Sequence, residues 1–187
     1  MRKKTTPAGI RPMKLSRLTI GLGVYIVVSA AFMLQINVWL TAKVGNPFLF
    51  RSFWAVSVIV LALAAAYAFK ARLGAPRIFA VFSVFILAYL LGSVQHYFEE
   101  KTHILMYGLL GYLAARDLIS VGKALKPSAL PKNMAMAAAF VVLISALDEG
   151  FQLILPYRFG EWNDFITNIL GGILGISLFL VLKKDRG

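Results

Sequence analysis

Six stretches of the chain are apolar over lengths near the ~20 residues that a helix needs to cross a bilayer core. They run Leu18–Leu40, Ser52–Phe69, Ile78–Val94, His103–Ile119, Met134–Leu155 and Phe165–Leu182. The third and fourth are short for a span. The first is longer than the apolar region of a signal peptide. It closes on Gln35 and Asn37 without a small-residue cleavage pattern, so it is expected to stay as a membrane anchor. No internal repeat is evident, and Pro127–Pro131 reads as a plain interhelical loop.

The segments between the runs alternate in charge. Arg2, Lys3, Lys4, Arg11, Lys14 and Arg17 precede the first run, and Lys183, Lys184 and Arg186 follow the last. Lys70, Arg72 and Arg77 crowd one loop, and Arg116, Lys123, Lys126 and Lys132 outweigh Asp117 in another. The loops holding Glu99, Glu100 and Lys101, and Arg158, Glu161 and Asp164, are weakly acidic. Only the loop with Lys43 and Arg51 is ambiguous. Basic loops face the cytoplasm. The expected fold is therefore an all-α, polytopic integral membrane helical bundle of about six transmembrane helices with both termini cytoplasmic. It comprises a basic segment over 1–17, three helices over 18–94, a three-helix membrane core over 95–182 and a basic tail over 183–187.

Composition agrees. The chain is 59% hydrophobic and 15% charged, where soluble domains run at about 45–50% and about 25%. The net charge of +12 sits in the flanks of apolar runs, where it sets topology and favours anionic lipid head groups. No basic module interleaved with aromatics is present, so nucleic acid is not an expected partner. The absence of cysteine excludes disulfides, thiol catalysis and cysteine-bound metals.

Two polar clusters interrupt the apolar pattern at one end of the bundle. In the fifth run, Asp148, Glu149 and Gln152 precede Pro156. Carboxylates in a membrane helix cost about 2.5–3.5 kcal/mol near its centre, so a lipid-facing position is disfavoured. They form either a polar site or a structural bundle contact. The helix of the sixth run begins at Asp164, and Asp164, Asn168, Gly171 and Gly175 share one of its faces. Gly171 and Gly175 permit close approach to another helix, which would press the polar half of this face against a neighbour, with the fifth run as the candidate. Asp164 is either a site residue or an N-cap, and Asn168 lies a turn too deep to cap. At the start of the fourth run, His103 and Tyr107 share a face. His103 is the best general acid–base candidate, against an interfacial histidine bonded to a carbonyl. Lys101 and Arg158 either bind phosphate or carboxylate or snorkel to the interface. Tyr157 and Trp162 read as interfacial belt aromatics, and His96 with Glu99 is an outer-loop pair without assigned role. There is no His-Glu-x-x-His pair and no Gly-x-Ser-x-Gly elbow. A metal held by His103, Glu149 and Asp164 is conceivable, but neither metal nor cofactor is expected.

The ordered set Glu100-Lys101-Thr102-His103, Glu149-Gly150-Phe151-Gln152, Pro156-Tyr157-Arg158, then Asp164, Asn168, Gly171 and Gly175 resembles the VanZ-like family. The resemblance covers roughly Glu99 to Leu182. Glu100 stands where the family usually has aspartate, and Asp148 adds a carboxylate beside the motif glutamate, leaving open which of the two acts. The family's namesake is associated with low-level resistance to the glycopeptide teicoplanin. The resemblance thus implies an envelope role at the outer leaflet of a bacterial cytoplasmic membrane, without supplying a reaction. The expectation is an anionic lipid head group or lipid-linked precursor bound or modified in an outer polar cavity, affecting glycopeptide susceptibility. His103, Glu149 and Asp164 would be catalytic, and Lys101, Tyr107, Gln152, Arg158 and Asn168 would bind the ligand. The alternative is a non-catalytic envelope accessory that docks another membrane protein.

Overall fold

The computed structural model describes residues 14–95, 97–119, 129–158 and 160–183. The basic residues before Lys14, His96, Lys123, Lys126 and the tail beyond Lys183 lie outside the described residues. Those described form helices α1 (Arg17–Ser29), α2 (Met33–Val44), α3 (Asn46–Lys70), α4 (Ala75–Ser93), α5 (Phe98–Ile119), α6 (Leu130–Ile154) and α7 (Trp162–Leu182), with no strand among them. Helices α3, α4, α6 and α7 are each long and apolar enough to cross a membrane.

The first apolar run is not one straight span. It breaks into α1 and α2, which meet at 74°. Ser29 Oγ turns back to the Ile26 carbonyl at 2.8 Å. The amides of Ala31 and Phe32 bond to Val28 O and Ser29 O, three residues back. Such tightening closes an α-helix. Beyond the break, Gln35, Asn37, Thr41 and Lys43 are spread along α2, whereas the polar Arg17, Thr19 and Ser29 of α1 lie at its two ends.

Helix α5 is the centre of the fold. It carries Glu99, Glu100, Lys101, Arg116 and Asp117 near its ends, yet 12 of its 22 residues are buried, Tyr107, Leu110 and Gly111 at its middle among them. Its 22 residues rise about 33 Å, close to the thickness of a hydrocarbon core. The outer helices α3 and α4 instead expose large apolar side chains, such as Leu63 at 67% and Phe79 at 75%. Exposed apolar surface on this scale suits a lipid solvent.

The tightest packing joins α5 to α7. A Cβ placed on Gly175 would overlap the Gly108 carbonyl, and one on Gly111 would overlap the backbone of Gly172. At Gly171 it would come within 3.1 Å of Ile104 O. The polar half of this face reaches the fifth run, as expected, through Asn168, whose amide donates to Glu149, whereas Gly171 and Gly175 face α5. The reason lies in what each neighbour offers. Helix α5 presents Gly108 and Gly111, so the two backbones can touch. Helix α6 presents the β-branched Val141, which meets Gly172.

Asp117, at the far end of α5, fastens the start of α1. Its Oδ2 accepts from Ser16 N at 2.7 Å and from Thr19 Oγ1 at 2.5 Å, while Arg116 donates to Oδ1. Arg77, near the start of α4, donates to Lys183 O just past the end of α7. The starts of α1 and α4 therefore lie at the same end of the bundle as the ends of α5 and α7.

Candidate functional site

The opposite end holds the polar residues. There the N-termini of α5 and α7 meet the C-terminus of α6 and the start of α2. A cavity of about 210 Å³ opens between them, lined by Leu34, Tyr97, Glu99, Glu100, His103, Gln152, Tyr157, Arg158, Glu161 and Asp164. Helix α7 begins at Trp162, with Glu161 at its N-cap position. Asp164 is therefore in the first turn, where the helix dipole favours an anion, and is not the cap.

Two hydrogen-bonded chains lead inward from this wall. In the first, His103 Nδ1 lies 3.2 Å from Asn168 Oδ1, and Asn168 Nδ2 donates to Glu149 Oε1 at 3.2 Å. Glu149 Oε2 accepts from the Glu161 amide at 3.1 Å. The order of this chain fixes the histidine. Because the carboxylate takes the Asn168 amide nitrogen, the amide oxygen faces the ring, and Nδ1 must carry the proton. In the neutral ring the lone pair is then on Nε2. In the second chain, Arg158 donates through Nε and one terminal nitrogen to Gln152 Oε1, at 3.2 and 2.8 Å. Gln152 Nε2 reaches Asp148 Oδ1 at 3.4 Å, and Tyr107 donates to Asp148 Oδ2 at 3.0 Å. Asp148, Gln152 and Asn168 are each at most 1% exposed.

Helical spacing explains the pairing. Asp148 and Gln152 lie one turn apart on α6, as do Asp164 and Asn168 on α7. Asp148 and Glu149, adjacent in sequence, point into different chains of partners. The glycine seam brings α7 close enough for Asn168 to reach both α5 and α6.

Of the residues singled out from the sequence, His103, Gln152, Arg158 and Asp164 line the cavity. Glu149, Asn168 and Tyr107 stand behind them in the hydrogen-bonded chains. Lys101 is elsewhere. Its ammonium donates to Gly92 O at 2.5 Å and Gln95 O at 2.6 Å, at the end of α4, and lies 5.4 Å from the Phe50 ring centroid. It caps a helix end rather than facing the cavity. Tyr157 lines the cavity and donates to Ala31 O at the α1–α2 break, at 2.8 Å. Trp162 is 74% exposed and stacks on Phe165, as a belt aromatic would.

Sequence reasoning passes over several wall residues. Glu99 stands one turn before His103 and Glu100 opens the motif that His103 closes, so both carry a signal in their position, though neither is expected on the wall. Leu34 carries none, because its approach depends on the bend between α1 and α2. The wall is also more acidic than expected: Glu99, Glu100, Glu161 and Asp164 share it with Arg158 and His103. In the sequence Asp148 stands only as a competitor of Glu149. In the structure it holds a distinct place in the core, against Tyr107.

No curated protein and no solved structure matches the chain. The family model VanZ/LLP1 matches residues 11–183. The likeness therefore extends well beyond the stretch from Glu99 that carries the motifs, and takes in the first three apolar runs. With this match across nearly the whole length, and with long apolar helices around a polar core, the chain is a helical membrane protein that belongs to the VanZ/LLP1 family.

Proposed function

We propose that this chain is a multi-pass protein of the bacterial cytoplasmic membrane that takes the head group of a lipid, or of a lipid-linked envelope precursor, into the cavity from the outer leaflet. In this topology the bent α1–α2 pair and helices α3 to α7 make six crossings, with both termini cytoplasmic. The end marked by Asp117, Arg77 and Lys183 is the cytoplasmic one. The basic residues flanking the first and last runs support that orientation.

The carrying observation is Arg158 on the cavity wall, held by two nitrogens on Gln152 Oε1. A guanidinium set in this way presents its remaining donors in a fixed direction, which suits phosphate or carboxylate. The volume fits a head group and excludes a whole lipid. His103, with its Nε2 lone pair, is the first candidate to exchange a proton with a bound group, and Glu149 and Asp164 are the carboxylates that serve it. Gln152, Asn168 and Tyr107 keep these groups in register. Binding of this kind at the outer leaflet is the route by which the protein would alter susceptibility to glycopeptides of the teicoplanin type.

The test is lipid retention. Protein in nanodiscs of mixed phospholipid, with a polyprenyl diphosphate added, is released into a mass spectrometer, and bound lipids are identified. A phosphate-bearing lipid retained by the wild type and lost from Arg158→Ala is expected. Equal retention by both would favour the accessory role, in which the protein docks another membrane protein.

A further inference from the structure

The buried end of the site gathers three side chains of metal-binding type. His103 from α5, with Asp148 and Glu149 from α6, each offer a ligand atom within 4.8 Å of the other two, and all three are buried. We infer that His103, Asp148 and Glu149 bind one divalent transition-metal ion of the zinc or manganese class, whose open position faces the cavity.

Three observations carry this. The first is geometry. Imidazole nitrogen and carboxylate oxygen bind zinc at about 2.0–2.2 Å, which sets ligand atoms about 3.4 Å apart around a tetrahedron. Closing the observed spacing takes small side-chain rotations. The second is the surrounding shell. Each ligand is already held by an outer partner: Asn168 at His103 Nδ1, Tyr107 and Gln152 at Asp148, Asn168 and the Glu161 amide at Glu149. Partners of this kind orient metal ligands, and the Asn168 contact leaves Nε2 as the nitrogen free to coordinate. The third is charge. Two buried carboxylates stand side by side, and the nearby cations Lys101 and Arg158 make their direct contacts with other groups. Lys101 donates to Gly92 O and Gln95 O, and Arg158 bonds Gln152 and lies 3.9 Å from Glu99. A divalent ion supplies the missing positive charge in a place where burying unpaired carboxylates is expensive.

The ion also resolves a conflict at the cavity wall, where four carboxylates would repel an anionic ligand. With three protein ligands and an open position, it gives a phosphate oxygen a site to bind beside Arg158. This last role rests on the head-group reading; metal uptake does not. In the loaded form the imidazole is a ligand, and of His103, Glu149 and Asp164 only Asp164 stays free of the metal to exchange a proton.

The experiment uses the full chain purified in detergent through a tag without histidines. The protein is stripped with chelator and titrated with Zn²⁺ and, separately, Mn²⁺. One ion per chain at micromolar or tighter affinity is expected, with a rise in Tm. Asp148→Asn and His103→Asn should each weaken binding at least tenfold, and Asn168→Ala should weaken it about 10–100-fold. Asp164→Asn should keep it. No saturable uptake, or uptake unchanged in Asp148→Asn and His103→Asn, overturns the inference. If those variants do not fold, the metal's K-edge absorption spectrum in the wild type decides. A single imidazole with oxygen ligands supports the site, and an all-oxygen shell overturns it. Lipid retention is measured in parallel with and without metal. Retention by the stripped protein that metal does not change removes only the bridging role. Absence of retention in both forms removes the head-group reading and leaves the metal site standing.

Discussion

Asn168 places its amide between His103 and Glu149, 3.2 Å from each. One side chain from α7 thus couples α5 to α6 and fixes which ring nitrogen of the histidine carries the proton. Replacing it with leucine keeps the branched heavy-atom shape, at somewhat larger volume, but removes both contacts. His103 Nδ1 and Glu149 Oε1 would then lose the partner they share, at about 1–3 kcal/mol each. Asn168→Leu should unfold at a clearly lower temperature in detergent than wild type. An unchanged Tm would mean that this bridge contributes nothing to the bundle.

The glycines divide into two classes. Gly111→Ala and Gly175→Ala drive a methyl group into the backbone of the facing helix, and Gly175→Leu does so more severely. Each should strongly reduce the yield of folded protein. Gly21 and Gly150, in α1 and α6, have open space within 4 Å of the point where a methyl group would stand. Alanine at either should be neutral or stabilising by about 0.5–1 kcal/mol, the helical cost of glycine. Thermal melts of the four alanine variants side by side check the division.

Asp117 is a fastening, remote from the cavity. Asp117→Asn loses the charge that Ser16, Thr19 and Arg116 address. A hydrogen bond to a charged group contributes about 1.5–3 kcal/mol, so a loss of roughly 2 kcal/mol is expected. Lipid retention at saturating lipid should stay at the wild-type level. A variant that melts normally, or that loses the lipid while still folded, contradicts this separation of the two ends.

Arg158→Lys tests geometry rather than charge. Lysine keeps the cation and cannot hold Gln152 Oε1 with two nitrogens while presenting further donors. Retention of the phosphate-bearing lipid should fall about tenfold or more, nearly as far as in Arg158→Ala. Full retention by the lysine variant would show that only the positive charge matters.

Reporter domains fused after Gly160 and after Lys183 test orientation. Activity on opposite faces of the membrane is expected, with the Lys183 fusion cytoplasmic. The same face for both would overturn the six-crossing arrangement.

The helices are legible in the sequence wherever one physical signal dominates. Lipid-facing α3 and α4 announce themselves by continuous apolar runs, and α6 and α7 do so despite their polar ends. The site is legible because an ionisable residue in an apolar helix is costly, so His103, Glu149 and Asp164 stand out against their surroundings. Three things are hidden. The break after Ser29 lies inside an apolar run, where no glycine or proline marks it. The choice of α5 as partner for Gly175 depends on Gly108, whose match to α7 is a tertiary fact. The diversion of Lys101 to the end of α4 depends on carbonyls of Gly92 and Gln95 that only the turn between α4 and α5 brings within reach.

The bond from Tyr157 to Ala31 O, with Leu34 on the cavity wall, ties the amino-terminal third of the chain to the polar cavity of the carboxy-terminal half. The half that carries the recognisable motifs is therefore not an autonomous module. A fragment beginning at Gln95 would retain His103, Glu149, Arg158 and Asp164, but it would leave their cavity unroofed on one side. The bent pair of α1 and α2 is in that sense a built-in ceiling, and grafting the motif region onto unrelated helices would transfer its residues without its enclosure.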